Sequence, residues 1–190
     1  MTMLIVQPDS EPGTTTLATE DPETIRRELI ARGVRFEQWQ TQAELDAEAT
    51  SDDVLEAYRA DVARLRAEGY DTVDVVRLVP DRSDPEWPQR AATARNTFLA
   101  EHTHDDDEVR FFVEGSGCFY LRIDGEVLMT VCGAGDLLLV PAGTTHWFDM
   151  GSDPHFAAIR FFKIPEGWVG NFTNDEISAR FATFDELVAG

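Results

Sequence analysis

The chain is short of positive charge, of cysteine and of long apolar runs, and each shortage excludes a class of function. Its 190 residues carry 16 Lys and Arg against 36 Asp and Glu, a net charge of −20. Such a surface repels the phosphate backbone of nucleic acids and the anionic face of membranes, so neither is expected as a partner. No apolar run approaches the ~20 residues that span a bilayer, and residues 1–10 have neither a basic stretch nor a cleavable apolar segment. The expected location is the cytoplasm, where the pattern Asn171-Phe172-Thr173 has no meaning as a glycosylation site. The only cysteines, Cys118 and Cys132, flank Asp124-Gly125, a dipeptide that favours a two-residue hairpin turn. In that register Cys118 faces Val131 and Cys132 faces Gly117, so the thiols point to opposite sides and a disulfide is not expected. There is no internal repeat, low-complexity tract or linker. With 43% hydrophobic residues and 12 Phe, the sequence suits one domain over 1–190.

What the chain has instead is a concentration of metal-binding groups. It holds four histidines, none of them in residues 1–101, and three are His102, His104 and His146. Histidines at i and i+2 point to one side of an extended strand, and Glu108 keeps the even spacing. Parity alone also admits Asp106, but Asp105-Asp106-Asp107 reads as a turn, after which Glu108 opens the next strand. His146 follows Pro141-x-Gly143, a rigid turn that delivers an imidazole at the start of another strand, with Phe148 on the same face. Arg110 shares the face of Glu108 and Phe112, while Val109, Phe111 and Val113 form an apolar stripe on the other. An arginine directed into a barrel beside a metal carboxylate is costly without an anionic partner, which points to an anionic substrate. The alternative is an Arg–carboxylate pair that braces Glu108. His155, after Asp153-Pro154, reads as a solvated loop residue.

The first hundred residues mix helix and strand. Asp21-Pro22 opens a helix in the order N-cap then Pro, with Ile25, Leu29 and Ile30 as its buried stripe and Gly33 at its end. A second helix is predicted from Ser51, with Val54, Leu55, Tyr58, Val62 and Leu65 at helical spacing and Gly69 as its stop. Residues 72–79 are β-branched and read as a strand, and 88–98 have weak helical character. From Glu108 onward short strands follow at 108–114, 117–123, 126–132, 136–140, 145–149 and 156–162, with Gly- and Pro-rich corners including Gly115-Ser116-Gly117. The expected fold is mainly β: an antiparallel barrel, with a helical flank and outer strands over 1–100, a metal-binding core over 101–165 and a C-terminal extension over 166–190.

Two segments, His102-x-His104-x3-Glu108-x6-Gly115 and Gly135-x5-Pro141-x-Gly143-x2-His146, resemble the paired motifs of the cupin superfamily, whose fold is a double-stranded β-helix or jelly roll. The chain departs from that pattern at Asn96 and Met150, where the superfamily has Gly and Asn. The string from Phe98 to His104, the run Asp107-Glu108-Val109-Arg110-Phe111-Phe112-Val113-Glu114-Gly115-Ser116-Gly117, Thr145-His146-Trp147-Phe148-Asp149 and Arg160-Phe161-Phe162 are similar to the bacterial acireductone dioxygenase family.

That resemblance implies a methionine-salvage enzyme that opens acireductone, 1,2-dihydroxy-3-keto-5-methylthiopentene, with O2. It implies one Fe(2+) or Ni(2+) per chain. Iron gives formate and 4-methylthio-2-oxobutanoate, and nickel gives carbon monoxide, formate and 3-methylthiopropionate. Three imidazoles and one carboxylate leave two octahedral positions for a bidentate enediolate, which favours iron, nickel, cobalt or manganese over zinc. By similarity, His102, His104, Glu108 and His146 hold the metal and Arg110 stabilises the substrate dianion. Glu101 and Asp107 flank the ligands, with roles in metal loading and in transmitting local change, as partners for imidazole N–H groups. Phe98, Phe148, Arg160 and Trp168 fall at positions around the substrate pocket. The family also suggests a monomer. Two rivals stand beside this reading: a cupin isomerase or decarboxylase that consumes no O2, and a metal-bound sensor, for which no basic companion segment exists.

Overall fold

The computed structural model describes residues 1–41, 45–46 and 48–189. Its elements in chain order begin with β1 (Met3–Pro8), β2 (Leu17–Thr19), α1 (Pro22–Ala31), β3 (Arg35–Gln38), α2 (Ser51–Ala57), α3 (Arg59–Ala67), β4 (Thr72–Leu78) and α4 (Trp87–Asn96). They continue with β5 (His102–Thr103), β6 (Glu108–Ile123), β7 (Glu126–Gly133), β8 (Asp136–Val140), β9 (Thr145–Asp149), β10 (Phe156–Phe162), β11 (Asn171–Phe172), a 3-10 turn (Ile177–Arg180) and α5 (Phe184–Val188).

All the strand pairs are antiparallel, and β6 organises them. Its first half pairs with β10 and β8, which carry β4 and β3 outward. Its second half lies between β9 and β7 in a sheet of order β11-β5-β9-β6-β7-β1-β2. The two sheets face each other as a barrel, the cupin-type arrangement. Gly115-Ser116-Gly117, read from sequence as a corner between two strands, is instead a bend within one strand of 16 residues. Gly115 has φ +62°, and a Cβ there would run into the backbone carbonyl of His155. Opposite this bend the pairing slips between Ala157 and Ala158, a bulge that leaves Val113 without a partner on β10 and lets one strand serve both sheets.

The helical flank differs from its prediction in two places. Asp21 caps α1 by accepting from Thr24 N at 2.9 Å, and Ile25 and Leu29 are fully buried, but Ile30 is 53% exposed. At 3.6 residues per turn Ile30 sits about 100° round from Leu29, beyond the stripe that meets the sheet. The helix expected from Ser51 as one piece is two, broken at Tyr58 (φ −106°, ψ 22°). The break lets Val54 on one side and Val62 with Leu65 on the other lie on the same curved sheet, with the Tyr58 ring edge-on to Phe111 at 5.4 Å.

Three apolar layers result. Val109, Phe111 and Val113 pack under α2 and α3, as their alternation predicts. Phe112, Phe119, Phe148 and Phe156 fill the barrel interior. Tyr120, Trp147 and Cys118 form an outer layer covered by Ile177, Phe181 and Phe184 of the C-terminal segment. The hairpin register is the predicted one, Cys118 with Val131 and Gly117 with Cys132. Both thiols are free and buried, one in the outer layer and one in the interior. Among the described residues no helix is long and apolar enough to cross a membrane.

Candidate metal centre

The sheet register builds the site. β5 pairs with β9 through His102 and His146, and β9 pairs with β6, so the two motifs from distant parts of the sequence meet side by side. His102, His104 and His146 are all buried, and one ring nitrogen from each lies within 4.8 Å of the others. The carboxylate of Glu108, also buried, sends Oε2 to 3.1 Å from His146 Nε2 and 3.4 Å from His104 Nε2.

The tautomers show what the cluster is for. Each Nδ1 faces a backbone carbonyl at 2.8 Å: His102 to Ala100, His104 to Val169 and His146 to Thr144. A carbonyl only accepts, so each Nδ1 carries the proton, and in the neutral ring Nε2 presents a lone pair to the centre. For His146 that lone pair meets a carboxylate oxygen at 3.1 Å, two acceptors that need either a proton or a metal ion between them. Two donors each bound ~2.1 Å from one ion at right angles stand about 3.0 Å apart, so these separations match a shared metal. The residues present therefore fit a divalent metal.

Charge is balanced on the far side of the carboxylate. Arg110, 4% exposed, donates from Nη2 to Glu108 Oε1 at 2.5 Å. Burial alone would raise Glu108, but the Arg110 guanidinium and the bonds with His104 and His146 hold it well below the usual carboxylate range. Burial and the neighbouring His146 push His102 down to about 4. Burial acts on His104 in the same direction, but Glu108 outweighs it and His104 is raised. The Arg110 guanidinium carbon lies 4.8 Å from the Phe119 ring centre and 4.3 Å from that of Phe148. Its Nε has no partner, a buried donor that costs energy until something accepts from it.

A cavity of about 180 Å³ opens beside Arg110, lined by Val76, Leu78, Ala94, Thr97, Phe98, Phe148, Met150, Phe156 and Arg160. Phe98 joins cavity to imidazoles, its ring 5.1 Å from His102 and 5.9 Å from His104. Arg160 lines it with its head paired to Asp74 at 2.8 and 2.6 Å. Trp168 does not line this cavity. It is 48% exposed, since the backbone after β10 turns the carbonyl of Val169 toward His104 and leaves the neighbouring indole outside.

Glu101 and Asp107 do not pair with the imidazole N–H groups, which are taken by carbonyls. Glu101 is buried and accepts from Thr173 Oγ1 at 2.6 Å and from Arg122 at 3.3 Å. Asp107 accepts from Lys163 Nζ at 2.7 Å, Tyr70 Oη at 3.0 Å and the backbone N–H of Ala142 at 3.0 Å, next to the turn that delivers His146. Burial opposes ionisation of Asp107, but Lys163 holds it below its ordinary value. The functional residues that sequence reasoning missed are Ala100, Thr144 and Val169. They act through main-chain carbonyls, which leave no side-chain signal. His155 is exposed and bonded to Glu114 at 3.1 Å, outside the site.

A cupin-type barrel with three inward imidazoles and a buried carboxylate defines the class: a metal-centre protein with an apolar cavity beside an arginine. The particular family follows from comparison. Residues 3–170 match the model of the ARD/ARD' family. The chain is 52% identical over 190 residues to an acireductone dioxygenase of Saccharopolyspora erythraea, covering 100% of this chain and 99% of the relative. It is 56% identical over 186 residues to that of Parvibaculum lavamentivorans, covering 97% and 98%. The solved acireductone dioxygenase of Bacillus anthracis, with a cadmium ion in its active centre, superposes with a TM-score of 0.74 at 27% identity, over 90% of this chain and 98% of that one. The chain belongs to the ARD/ARD' family.

Proposed function

We propose that this protein cleaves acireductone, 1,2-dihydroxy-3-keto-5-methylthiopentene, with O2 in methionine salvage, using one Fe(2+) or Ni(2+) held by His102, His104, Glu108 and His146. The observation that carries the reading is the buried meeting of these four side chains with Arg110 in the wall of an apolar cavity. When bound, the ion supplies the Lewis-acid and redox chemistry that amino-acid side chains lack.

The protein's own groups do the rest. Arg110 keeps its proton at any working pH and donates to the enediolate oxygens, Nε being the free donor and Nη2 the one shared with Glu108. Phe98 and Phe148 exclude water from the anion, and the cavity between β4, α4 and β10 receives the methylthio tail. Glu101 and Asp107 hold the segments around the ligands in place. With iron the products are formate and 4-methylthio-2-oxobutanoate, and with nickel carbon monoxide, formate and 3-methylthiopropionate. The protein acts as a cytoplasmic monomer.

An oxygen electrode tests the activity. Protein loaded with Fe(2+) takes up O2 when acireductone is added, and the same protein loaded with Ni(2+) releases carbon monoxide. Conversion of substrate without O2 uptake with either metal would instead indicate an isomerase or decarboxylase, and no conversion a sensor.

A further inference from the structure

The three imidazoles are not held alike. His102 and His146 each give their Nδ1 proton to the carbonyl two residues upstream in their own segment, so their orientation is set locally. His104 alone depends on a distant stretch, giving its proton to Val169, 65 positions away. That carbonyl belongs to the strap between β10 and β11, whose side chains Ile164, Trp168 and Val169 are 43%, 48% and 45% exposed, while Gly167 is buried against Phe162 and Asp106. Polar contacts tie the strap down, one of them Lys163 Nζ on Asp107 at 2.7 Å. Asp106, 7% exposed, accepts at Oδ2 from the backbone N–H of Lys163 at 2.6 Å and of Ile164 at 3.0 Å. Its Oδ1 accepts from its own neighbour Asp107 N at 2.8 Å. At the other end Asn171 pairs with Thr103, and Asn171 Nδ2 donates to Asp105 at 2.9 Å.

We infer that Asp106 is a positioning residue for the metal centre: it pins the start of the strap whose Val169 carbonyl orients the His104 imidazole. The inference rests on the reading of His104 as a metal ligand. Asp106 touches neither the centre nor the cavity, and it lies between two ligands in the chain with its carboxylate turned outward to the strap. Its negative charge suits the task, because one carboxylate oxygen accepts two backbone donors at once. An amide in its place sets its N–H₂ either against Lys163 and Ile164 or, turned round, against the N–H of Asp107. Loss of the anchor frees the carbonyl, and His104 then loses its fixed tautomer and ring direction.

The test uses the full chain, Ni(2+) alone as probe, and the variants Asp106→Asn, Asp106→Ala and His104→Ala. Ni(2+) affinity is measured by chelator competition, and imidazole ¹⁵N and Nδ1–H resonances are recorded on metal-free protein. The expected result for both Asp106 variants is about 10- to 100-fold weaker Ni(2+) binding, the usual effect of removing an outer partner of a ligand. It comes with loss of the His104 Nδ1–H signal, while those of His102 and His146 persist. A merely structural role would move the three signals together or none. Asp106→Asn keeps the shape of the side chain and serves if Asp106→Ala does not fold. Native Ni(2+) affinity and an intact His104 signal in Asp106→Asn, with affinity lost in His104→Ala, overturn the inference alone. Native affinity in His104→Ala overturns the ligand assignment and the inference with it.

Discussion

Replacing Arg110 by Met separates its two tasks, neutralising Glu108 and holding substrate. Met fills the slot between the Phe119 and Phe148 rings without charge, so packing is nearly kept. In metal-free protein the change leaves Glu108, 4% exposed, as a buried carboxylate whose remaining partners are His104 and His146. Breaking one side of a buried ion pair costs about 3–5 kcal/mol. For a chain of this length each kcal/mol moves the melting temperature about 2–4 °C, so the metal-free variant melts roughly 6–20 °C lower. With a divalent metal bound, Glu108 regains a counter-charge and the deficit shrinks, so metal raises the melting temperature of Arg110→Met more than that of the parent chain. Activity does not recover with it. Removing a preorganised donor to a developing anion typically costs about 10²–10³ in turnover. Calorimetry with and without metal, metal analysis and O2 uptake read the three effects. Turnover equal to the parent chain's at full metal occupancy refutes the role of Arg110 in holding the substrate. Equal melting shifts in both metal states refute the charge argument.

Four further outcomes are expected. Burial works against ionised Asp149, but bonds from Arg95 and from the backbone N–H of Phe184 and Gly151 hold it below its ordinary 3.8. Its contribution is therefore complete above about pH 4 and is lost as the pH falls through the lower folded value. Asp149→Asn costs about 2–3 kcal/mol in urea melts at neutral pH, and the gap closes in strong acid. Gly115→Ala forces a side chain into the left-handed region, about 1–2 kcal/mol before any clash with the His155 carbonyl is counted, and lowers the yield of folded protein. Burial pushes both thiols up, so neither Cys118 nor Cys132 reacts with a disulfide reagent until the chain is denatured, when two thiols appear. Chelation lowers the melting temperature, because a metal at 1,000 times its Kd adds about 4 kcal/mol to the folded state.

The barrel strands after Glu108 were legible because each face of each strand has one neighbour, so alternation survives in the sequence. The face shared by Glu108 and Arg110, the stripe of Val109, Phe111 and Val113, and the hairpin register of Cys118 all follow from a period of two. The strands β1, β2, β3 and β11 leave no such signal: β2, β3 and β11 have two to four residues, and β1, β3 and β11 pair with residues far along the chain. The bend at Gly115 looked like a turn because glycine marks both, and only the partner strand β10 decides between them. In the site, residue types and parity pick out the four inward side chains. They cannot reveal the three carbonyls that set the tautomers, nor that Glu101 turns to Thr173 and Arg122. A main-chain acceptor is present in every residue, and only the fold chooses which one is used.

The pairing of His102 with His146 across β5 and β9 bears on the order of events in folding. β5 has two residues and only short neighbours, β9 and β11, so it has little stability before β9 is in place on β6. A half-built chain therefore offers a metal ion isolated imidazoles, with no enclosure and no fixed ring direction. The ion enters after the transition state, and in stopped-flow experiments Ni(2+) should leave the refolding rate unchanged while slowing unfolding, so that metal protects the protein by delaying its opening.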